Sequence, residues 1–187
     1  MQVSSVKVLV GAVALCLVGG ASTAALAAGG GSSGTTTIKA VNGPGGMKIN
    51  RYIKDTVRWN KNVYTVKSGG TIRIVNASSA QEGPHTFTVV AAKDLPLTAA
   101  AAQNCSICAV FAKAHGANPG SNTPPKFRYL DGGVGTNAPP KVDGPGDSGF
   151  VAPGPGSITL TVTAKPGTVL KFMCLVHPWM QAKLIVK

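Results

Sequence analysis

The chain has 187 residues, of which 44% are hydrophobic and 13% charged, and it contains 24 glycines and 13 prolines. That length supports one domain with a core of its own. Long helical periodicities are scarce and turn-forming residues abundant, so the composition favours an all-β protein over a helical one.

The first 28 residues have the features of a signal peptide. Lys7 is the only charge before the apolar run 8–18, and residues 25–27 offer the small-x-small pattern of a cleavage site. We therefore predict cleavage after Ala27 or Ala28; an uncleaved membrane anchor is the alternative, because the uncharged run that continues from Val8 to Ala28 is nearly long enough to span a bilayer. Residues 29–37, rich in Gly, Ser and Thr, are predicted to be a flexible tether before a domain at 38–187.

If the protein is exported, its net positive charge indicates a different kind of partner than it would in the cytosol. The whole chain carries 18 basic and six acidic residues, and losing Lys7 with the leader leaves a net charge of +11. In the periplasm, outside the cell or at its surface, such a charge indicates a partner with an acidic surface, or association with an anionic membrane surface, rather than nucleic acid. Plain solubility is the simpler explanation.

Short alternating stretches bounded by turn residues predict the strands. They cover residues 37–41, 57–66 with a turn near Asn60, 71–77, 85–90, 157–163, 168–174 and 183–187. His85 shares a strand face with Phe87, and Cys174 shares one with Phe172. We therefore expect the side chains of His85 and Cys174 to point into the space between two sheets, as in a sandwich or barrel.

Residues 91–156 form a long insertion between these strands. The Ala-rich stretch 97–114 has room for a short helix, and the Gly- and Pro-rich stretch 118–155 is predicted to be irregular loop. A loop of this length is unusual in a compact domain. It either packs as a lid on the sandwich or presents a mobile surface to a partner.

Cys105 and Cys108 form a C-x-x-C pair inside the insertion. No His follows Cys108, which argues against covalent haem attachment, and an oxidising compartment favours a disulfide. A redox-active dithiol and a second metal site that includes His115 are the alternatives. A disulfide would leave Cys174 as a free thiol in the mature chain.

The residues with the clearest chemistry lie near the C-terminus. Cys174, His177 and Met180 recur at every third position in a short connection between two strands, and His85 follows Pro84 at the start of an upstream strand. Two His, one Cys and a weak Met are the donor set of a blue-copper electron-transfer site. Zinc is the competing metal, although Met is a poor zinc ligand, and simple core packing of each residue is the non-functional alternative.

The spacing Cys-x-x-His-x-x-Met, with Pro178 after His177 and the Pro84-His85 step before a strand, resembles the copper-binding segments of the cupredoxins. Within the plastocyanin, amicyanin and pseudoazurin family, the loop is most like that of amicyanin. The resemblance covers residues 38–90 and 157–187 and says nothing about the insertion.

The resemblance implies an all-β, cupredoxin-like Greek-key β-sandwich with the irregular insertion added to it. It also implies one type 1 copper ion held by the following side chains: His85, Cys174, His177 and Met180. The electron would leave through the edge of His177, inside an apolar patch of Pro84, Pro178 and Trp179; burial of Trp179 in the base of the loop is the alternative. Many relatives have Asn after the first His, so the hydroxyl of Thr86 is expected to tie the two ligand segments together instead.

These observations predict an exported blue-copper electron carrier that is not itself an enzyme. It would pass one electron between redox proteins such as a cytochrome, an oxidase or a dehydrogenase. A copper-binding subunit or domain of a larger redox enzyme is one alternative, but three His in the chain are few for a catalytic copper cluster. A copper-delivery protein is the other, but four Met do not make a Met-rich tract.

Overall fold

A computed structural model describes residues 34–49, 51–118 and 123–187. The predicted signal peptide and the first part of the tether lie outside these residues. The strands are β1 (Thr35–Asn42), β2 (Gly46–Lys48), β3 (Tyr52–Lys54), β4 (Val57–Trp59), β5 (Val63–Val66), β6 (Thr71–Ala77), β7 (His85–Val90), β8 (Tyr129–Asp131), β9 (Val134–Thr136), β10 (Lys141–Val142), β11 (Ser148–Val151), β12 (Ser157–Val162), β13 (Val169–Met173) and β14 (Gln181–Val186). In the described part of the chain between β7 and β8 lie two α-helices, α1 (Ala99–Gln103) and α2 (Ser106–Ala114), preceded by a short 3-10 helix at Ala92–Asp94.

The strands form two main sheets. The first has the order β10-β12-β6-β1-β4, the second has the order β5-β14-β13-β7-β11-β8-β9, and β2 and β3 form a separate hairpin. Alternate side chains of both sheets, including Ile74, Leu160, Phe87 and Phe172, meet in one buried core. The predicted all-β sandwich with a helical segment in its insertion is therefore confirmed.

Strand β1 begins earlier than the sequence pattern indicates. It pairs in parallel with β6 from Thr35 opposite Thr71 onward. The predicted tether at residues 29–37 is thus wrong for its last three residues. Threonine is β-branched and suits a strand, and the edge of β6 supplies the hydrogen bonds that a tether would lack.

The insertion is more ordered than predicted. Its segment 118–155 contains β8 to β11, so the prediction of irregular loop is wrong there. Strand β11 pairs antiparallel with β7, placing Val151 opposite His85. A neighbouring strand satisfies the backbone groups of β7 on that side, which explains why this Gly-rich stretch is extended.

The insertion also covers the outer face of the second sheet, as a lid. Val90 of β7 and Met173 of β13 are buried against Cys108 of α2, and Phe111 packs on the same cluster. Every residue of β7 is consequently buried, on both faces of its sheet.

Cys105 and Cys108 are joined by a disulfide, with their Cα atoms 5.2 Å apart. The Cys105 sulfur also accepts a hydrogen bond from the backbone N–H of Cys108 at the start of α2. Among the described residues, no helix has the length and apolar character needed to cross a membrane.

Candidate metal centre

Three neighbouring strands bring the predicted ligands to one end of the second sheet. His85 is the first residue of β7, Cys174 follows β13 directly, and Met180 immediately precedes β14. Strand β13 lies between β7 and β14 and pairs with both. Residues far apart in sequence are therefore adjacent in space because their strands are neighbours.

The connection from Cys174 to Met180 is closed on itself by backbone hydrogen bonds. The N–H of Cys174 donates to the carbonyl of Met180 at 3.0 Å, and the N–H of Met180 donates to the carbonyl of His177 at 2.8 Å. The indole N–H of Trp59 donates to the same Met180 carbonyl at 3.0 Å. These bonds fix the ends of the loop before any metal binds.

His85, Cys174 and His177 converge on one point. The sulfur of Cys174 lies 3.7 Å from Nδ1 of His85 and 3.7 Å from Nδ1 of His177. The two imidazole nitrogens are 3.2 Å apart. His85 and Cys174 are fully buried and His177 is 8% exposed, so bulk water has little access to the three donor atoms.

A hydrogen-bond relay orients the His85 ring. Because carbonyls only accept, the Asn76 amide nitrogen donates to the carbonyls of Gly83 at 3.0 Å and Ala152 at 3.1 Å. Asn76 Oδ1 then accepts from the Ser78 hydroxyl at 2.7 Å. Ser78 Oγ is left to accept from Nε2–H of His85 at 2.9 Å. The unprotonated Nδ1 of His85 therefore faces the centre, as a metal ligand must.

Sequence reasoning missed this relay. Asn76 lies on the inward face of β6 with Ile72 and Ile74 and is itself buried. A polar residue at a core position of an otherwise apolar strand face is the signal that marks it.

Thr86 ties β7 to the C-terminal loop, as expected for this position. Its hydroxyl oxygen accepts the backbone N–H of Leu175 at 2.8 Å. Its own backbone N–H points to the Cys174 sulfur at 3.4 Å. Both contacts fix the sulfur relative to His85, and the N–H adds positive potential beside it.

The environment of the centre sets its charge when no metal is bound. Burial raises the pKa of the Cys174 thiol, and backbone N–H groups led by that of Thr86 oppose the rise. Burial, followed by the charge of His177, lowers the pKa of His85 to about 4. Burial also lowers the pKa of His177, opposed by the nearby carboxylates of Asp55 and Glu82.

Two neutral imidazoles and a neutral thiol are thus buried together, and loss of the thiol proton would leave a buried thiolate that needs a counter-charge. A soft cation that accepts two nitrogens and one sulfur compensates the thiolate in this environment. The buried set of His85, Cys174 and His177 fits one type 1 copper ion.

Met180 and Cys174 are both buried in the same apolar cluster of the core. The Trp59 ring lies over this end of the core, 6.3 Å from the His85 ring. The surroundings of the donor set are therefore apolar and aromatic, which excludes solvent from a bound ion.

The surface next to His177 differs in part from the predicted patch. Pro178 is buried, so its place in an exposed patch is wrong; the Gln181 amide bonds to its carbonyl and to that of Pro96 in the insertion. Pro84 is half-buried. Trp179 is 46% exposed rather than buried in the base of the loop, and Val176 is 45% exposed.

His115 is not part of a second metal site. Its Nδ1 lies 2.8 Å from the carbonyl of Phe127 and its Nε2 lies 2.9 Å from Ser148 Oγ. Cys105 and Cys108 are bonded to each other. The alternative of a metal site that joins these residues is therefore wrong.

No protein-family model and no curated protein matches the chain. Solved structures do. An auracyanin from Roseiflexus castenholzii is 21% identical, with a TM-score of 0.41 over 82% of this chain and 96% of its own. Auracyanin A from Chloroflexus aurantiacus, a "blue" copper protein, is 20% identical, with a TM-score of 0.42 over 82% of this chain and 100% of its own.

A purple cupredoxin from Nitrosopumilus maritimus is 15% identical, with a TM-score of 0.38 over 81% of this chain and 99% of its own. All of these identities are below 25% and the TM-scores below 0.5. The assignment of the metal therefore rests on the side chains of the site itself.

Proposed function

We propose that this protein is an exported blue-copper electron carrier that moves one electron at a time and catalyses no reaction by itself. The observation that carries the proposal is the buried convergence of one sulfur and two imidazole nitrogens, 3.2 to 3.7 Å apart. Their positions are fixed by backbone bonds of the loop and by Thr86.

A bound copper ion supplies a one-electron redox couple. The protein's own contribution is to fix the positions of the donor atoms and to exclude water from them. The Asn76–Ser78 relay keeps Nδ1 of His85 available, and Thr86 holds the Cys174 sulfur. Because these groups are held by the two sheets rather than by the metal, little rearrangement should accompany a change of oxidation state. Burial of the donors also favours an electron carrier over a copper-delivery protein, whose ligands must exchange with a partner.

We take Met180 as the fourth, weak ligand, in a loop of the amicyanin type. Its backbone is bonded on both sides, to His177 and to Cys174, and its side chain is buried with Cys174. Such a thioether tunes the potential of a blue-copper site. Replacement of Met180 by Leu should therefore shift the reduction potential while the charge-transfer band remains.

The electron should pass through the edge of His177. The ring of Trp179 lies edge-on to it, with centroids 5.4 Å apart, and Trp179 and Val176 expose apolar surface to solvent. A small apolar contact around an otherwise buried imidazole suits a brief redox encounter. The net charge of +11 would favour a partner with an acidic surface, such as a cytochrome, an oxidase or a dehydrogenase.

The decisive experiment is to add Cu(II) to the purified protein and record its visible spectrum. We expect one equivalent of copper to produce an intense thiolate-to-copper absorption that disappears reversibly on one-electron reduction. Cys174→Ser should abolish it, whereas the matched control, with Cys105 and Cys108 both changed to Ser, should keep it. A colourless protein that retains zinc in preference to copper would refute the proposal.

Export and partner choice are tested separately. The mature protein recovered outside the cytoplasm should begin at residue 28 or 29. Electron transfer to an anionic reagent should be faster than to a cationic reagent of similar potential, and added salt should reduce the difference. Equal rates at low salt would contradict an acidic partner.

A further inference from the structure

The disulfide of the lid has one accessible and one enclosed cysteine. Cys105 is partly exposed, whereas Cys108 is 8% exposed and packs against Val90 and Met173. A disulfide is exchanged when a thiolate attacks one of its two sulfurs, so access decides which sulfur reacts. A thiol that arrives from solvent therefore meets Cys105 rather than Cys108.

The position of Cys105 also suits it to carry a negative charge after its bond to Cys108 is broken. It is the N-cap of α2, a helix of nine residues, and its sulfur accepts the backbone N–H of Cys108 at 3.2 Å. Unpaired N–H groups and the helix dipole favour an anion at this end of a helix. A thiolate on Cys105 is therefore stabilised, and a stabilised thiolate is also a better leaving group.

A groove of about 290 Å³ is lined in part by Cys105. Its apolar lining residues are Leu95, Pro96, Ile107 and Val110. The two charged residues that line it, Lys93 and Asp94, have opposite signs, so the groove has no net charge with which to attract a charged ligand. It is thus a mainly apolar concave surface beside an accessible disulfide.

The surroundings of the groove indicate the size of its ligand. Val110 is 58% exposed, and Leu97, one residue beyond Pro96, is 81% exposed. A small, charged thiol such as glutathione would leave these apolar side chains in water. An extended polypeptide with aliphatic side chains next to its cysteines would cover them.

We propose that the Cys105–Cys108 disulfide is a thiol–disulfide exchange site that accepts two electrons from a dithiol protein, with an aliphatic segment of that protein seated in the groove. This activity is separate from the one-electron transfer proposed above and does not depend on copper.

The exchange is balanced in two steps. A thiolate of the partner attacks the Cys105 sulfur, the bond between Cys105 and Cys108 breaks, and Cys108 leaves as a thiolate that takes up a proton. The partner's second thiol then loses its proton and attacks the partner sulfur held by Cys105, which forms the partner's own disulfide and releases Cys105. Two electrons pass from the dithiol to the lid, and the partner's two protons balance those taken up by Cys108 and Cys105.

The test uses mature Cys174→Ser protein, in which Cys105 and Cys108 are the only cysteines; Cys174→Ala serves if the serine variant does not fold. The probe is a reduced Cys-x-x-Cys peptide with leucine and valine beside its cysteines, and protein thiols are counted by alkylation and mass spectrometry. This peptide should reduce the disulfide about tenfold faster than the same peptide with serines as neighbours, the effect of burying one aliphatic side chain. Equal rates, or faster reduction by glutathione at equal thiol concentration, overturn the proposal.

Substitutions in the groove locate the binding surface. Val110→Asp should abolish the preference for the aliphatic peptide. The matched control is Val134→Asp, since Val134 is 71% exposed but does not line the groove, and the preference should remain. A preference that survives Val110→Asp, or that Val134→Asp removes as well, contradicts the groove as the site.

Single-cysteine variants identify the sulfur that forms the mixed disulfide. In the Cys174→Ser background, Cys108→Ser leaves only Cys105, and Cys105→Ser leaves only Cys108. At neutral pH the oxidised peptide should form a mixed disulfide with Cys105 about tenfold faster than with Cys108. Equal reactivity, or faster reaction at Cys108, overturns the proposed order of attack. None of these measurements involves copper, so they stand whatever the visible spectrum shows.

Discussion

The hydroxyl of Thr86 is predicted to hold the C-terminal loop in place, and Thr86→Val tests this with little change in shape. Valine keeps both branches of the side chain but cannot accept the N–H of Leu175, now bonded at 2.8 Å. Thr86 is 4% exposed, so water cannot readily take the place of the lost oxygen. A buried donor left without a partner costs about 1–3 kcal/mol.

Urea unfolding of the metal-free protein measures this loss, and amide hydrogen exchange locates it. Thr86→Val should lower the free energy of unfolding by about 1–3 kcal/mol and speed exchange of the Leu175 amide. The matched control is Thr86→Ser, which keeps the hydroxyl and loses one methyl group, worth about 0.8 kcal/mol. In the control, the Leu175 amide should remain protected.

The two measurements together decide the role of the hydroxyl. If the Leu175 amide exchanges in Thr86→Val at the wild-type rate, the hydroxyl does not fix the loop. The same holds if the serine and valine variants lose equal stability, because the methyl group would then account for the whole effect.

Three further predictions concern the rest of the molecule. The metal-free protein should lose about 3 kcal/mol of stability between pH 6.5 and pH 4. The reason is that His85 takes up a proton at the ordinary imidazole pKa in the unfolded state, whereas in the folded state it stays neutral down to its pKa of about 4. A flat profile of urea midpoint against pH would contradict this. Ser78→Ala removes the acceptor of the His85 Nε2–H and should weaken copper binding about 10- to 100-fold in a chelator competition, with the exposed Ser106→Ala unchanged as its control. Replacing Cys105 and Cys108 by serine should cost about 2 kcal/mol in thermal unfolding without moving the copper absorption band, and loss of the band would show that the lid shapes the centre.

Local patterns predicted the strands that carry the core. The predicted strands at 71–77 and 85–90 coincide with β6 and β7, because alternation of apolar and polar residues is a property of the segment itself. The strands of the insertion could not be predicted in this way. Residues 148–151 are extended because β7 lies beside them, and that partner is more than fifty residues away in sequence.

The same distinction applies to the metal centre. Spacing along the loop was enough to group Cys174, His177 and Met180, since a short connection keeps its residues close. The relay from Asn76 through Ser78 depends on how β6 packs across the core from β7, which no local pattern contains. The burial of Pro178 depends on the path of the insertion past Pro96. It therefore could not be predicted from the sequence of the loop alone.

The two imidazoles sit in very different parts of the molecule. His85 begins a strand that is enclosed on both faces, whereas His177 is flanked by Val176 and Trp179, which reach into solvent. An ion arriving from outside would therefore meet the loop imidazole first and the strand imidazole last. A chelator would remove the ion in the opposite order, from His85 first and from His177 last. We therefore expect both uptake and release of the ion to be limited by how often the loop that carries His177 moves away from β7, which stays in place.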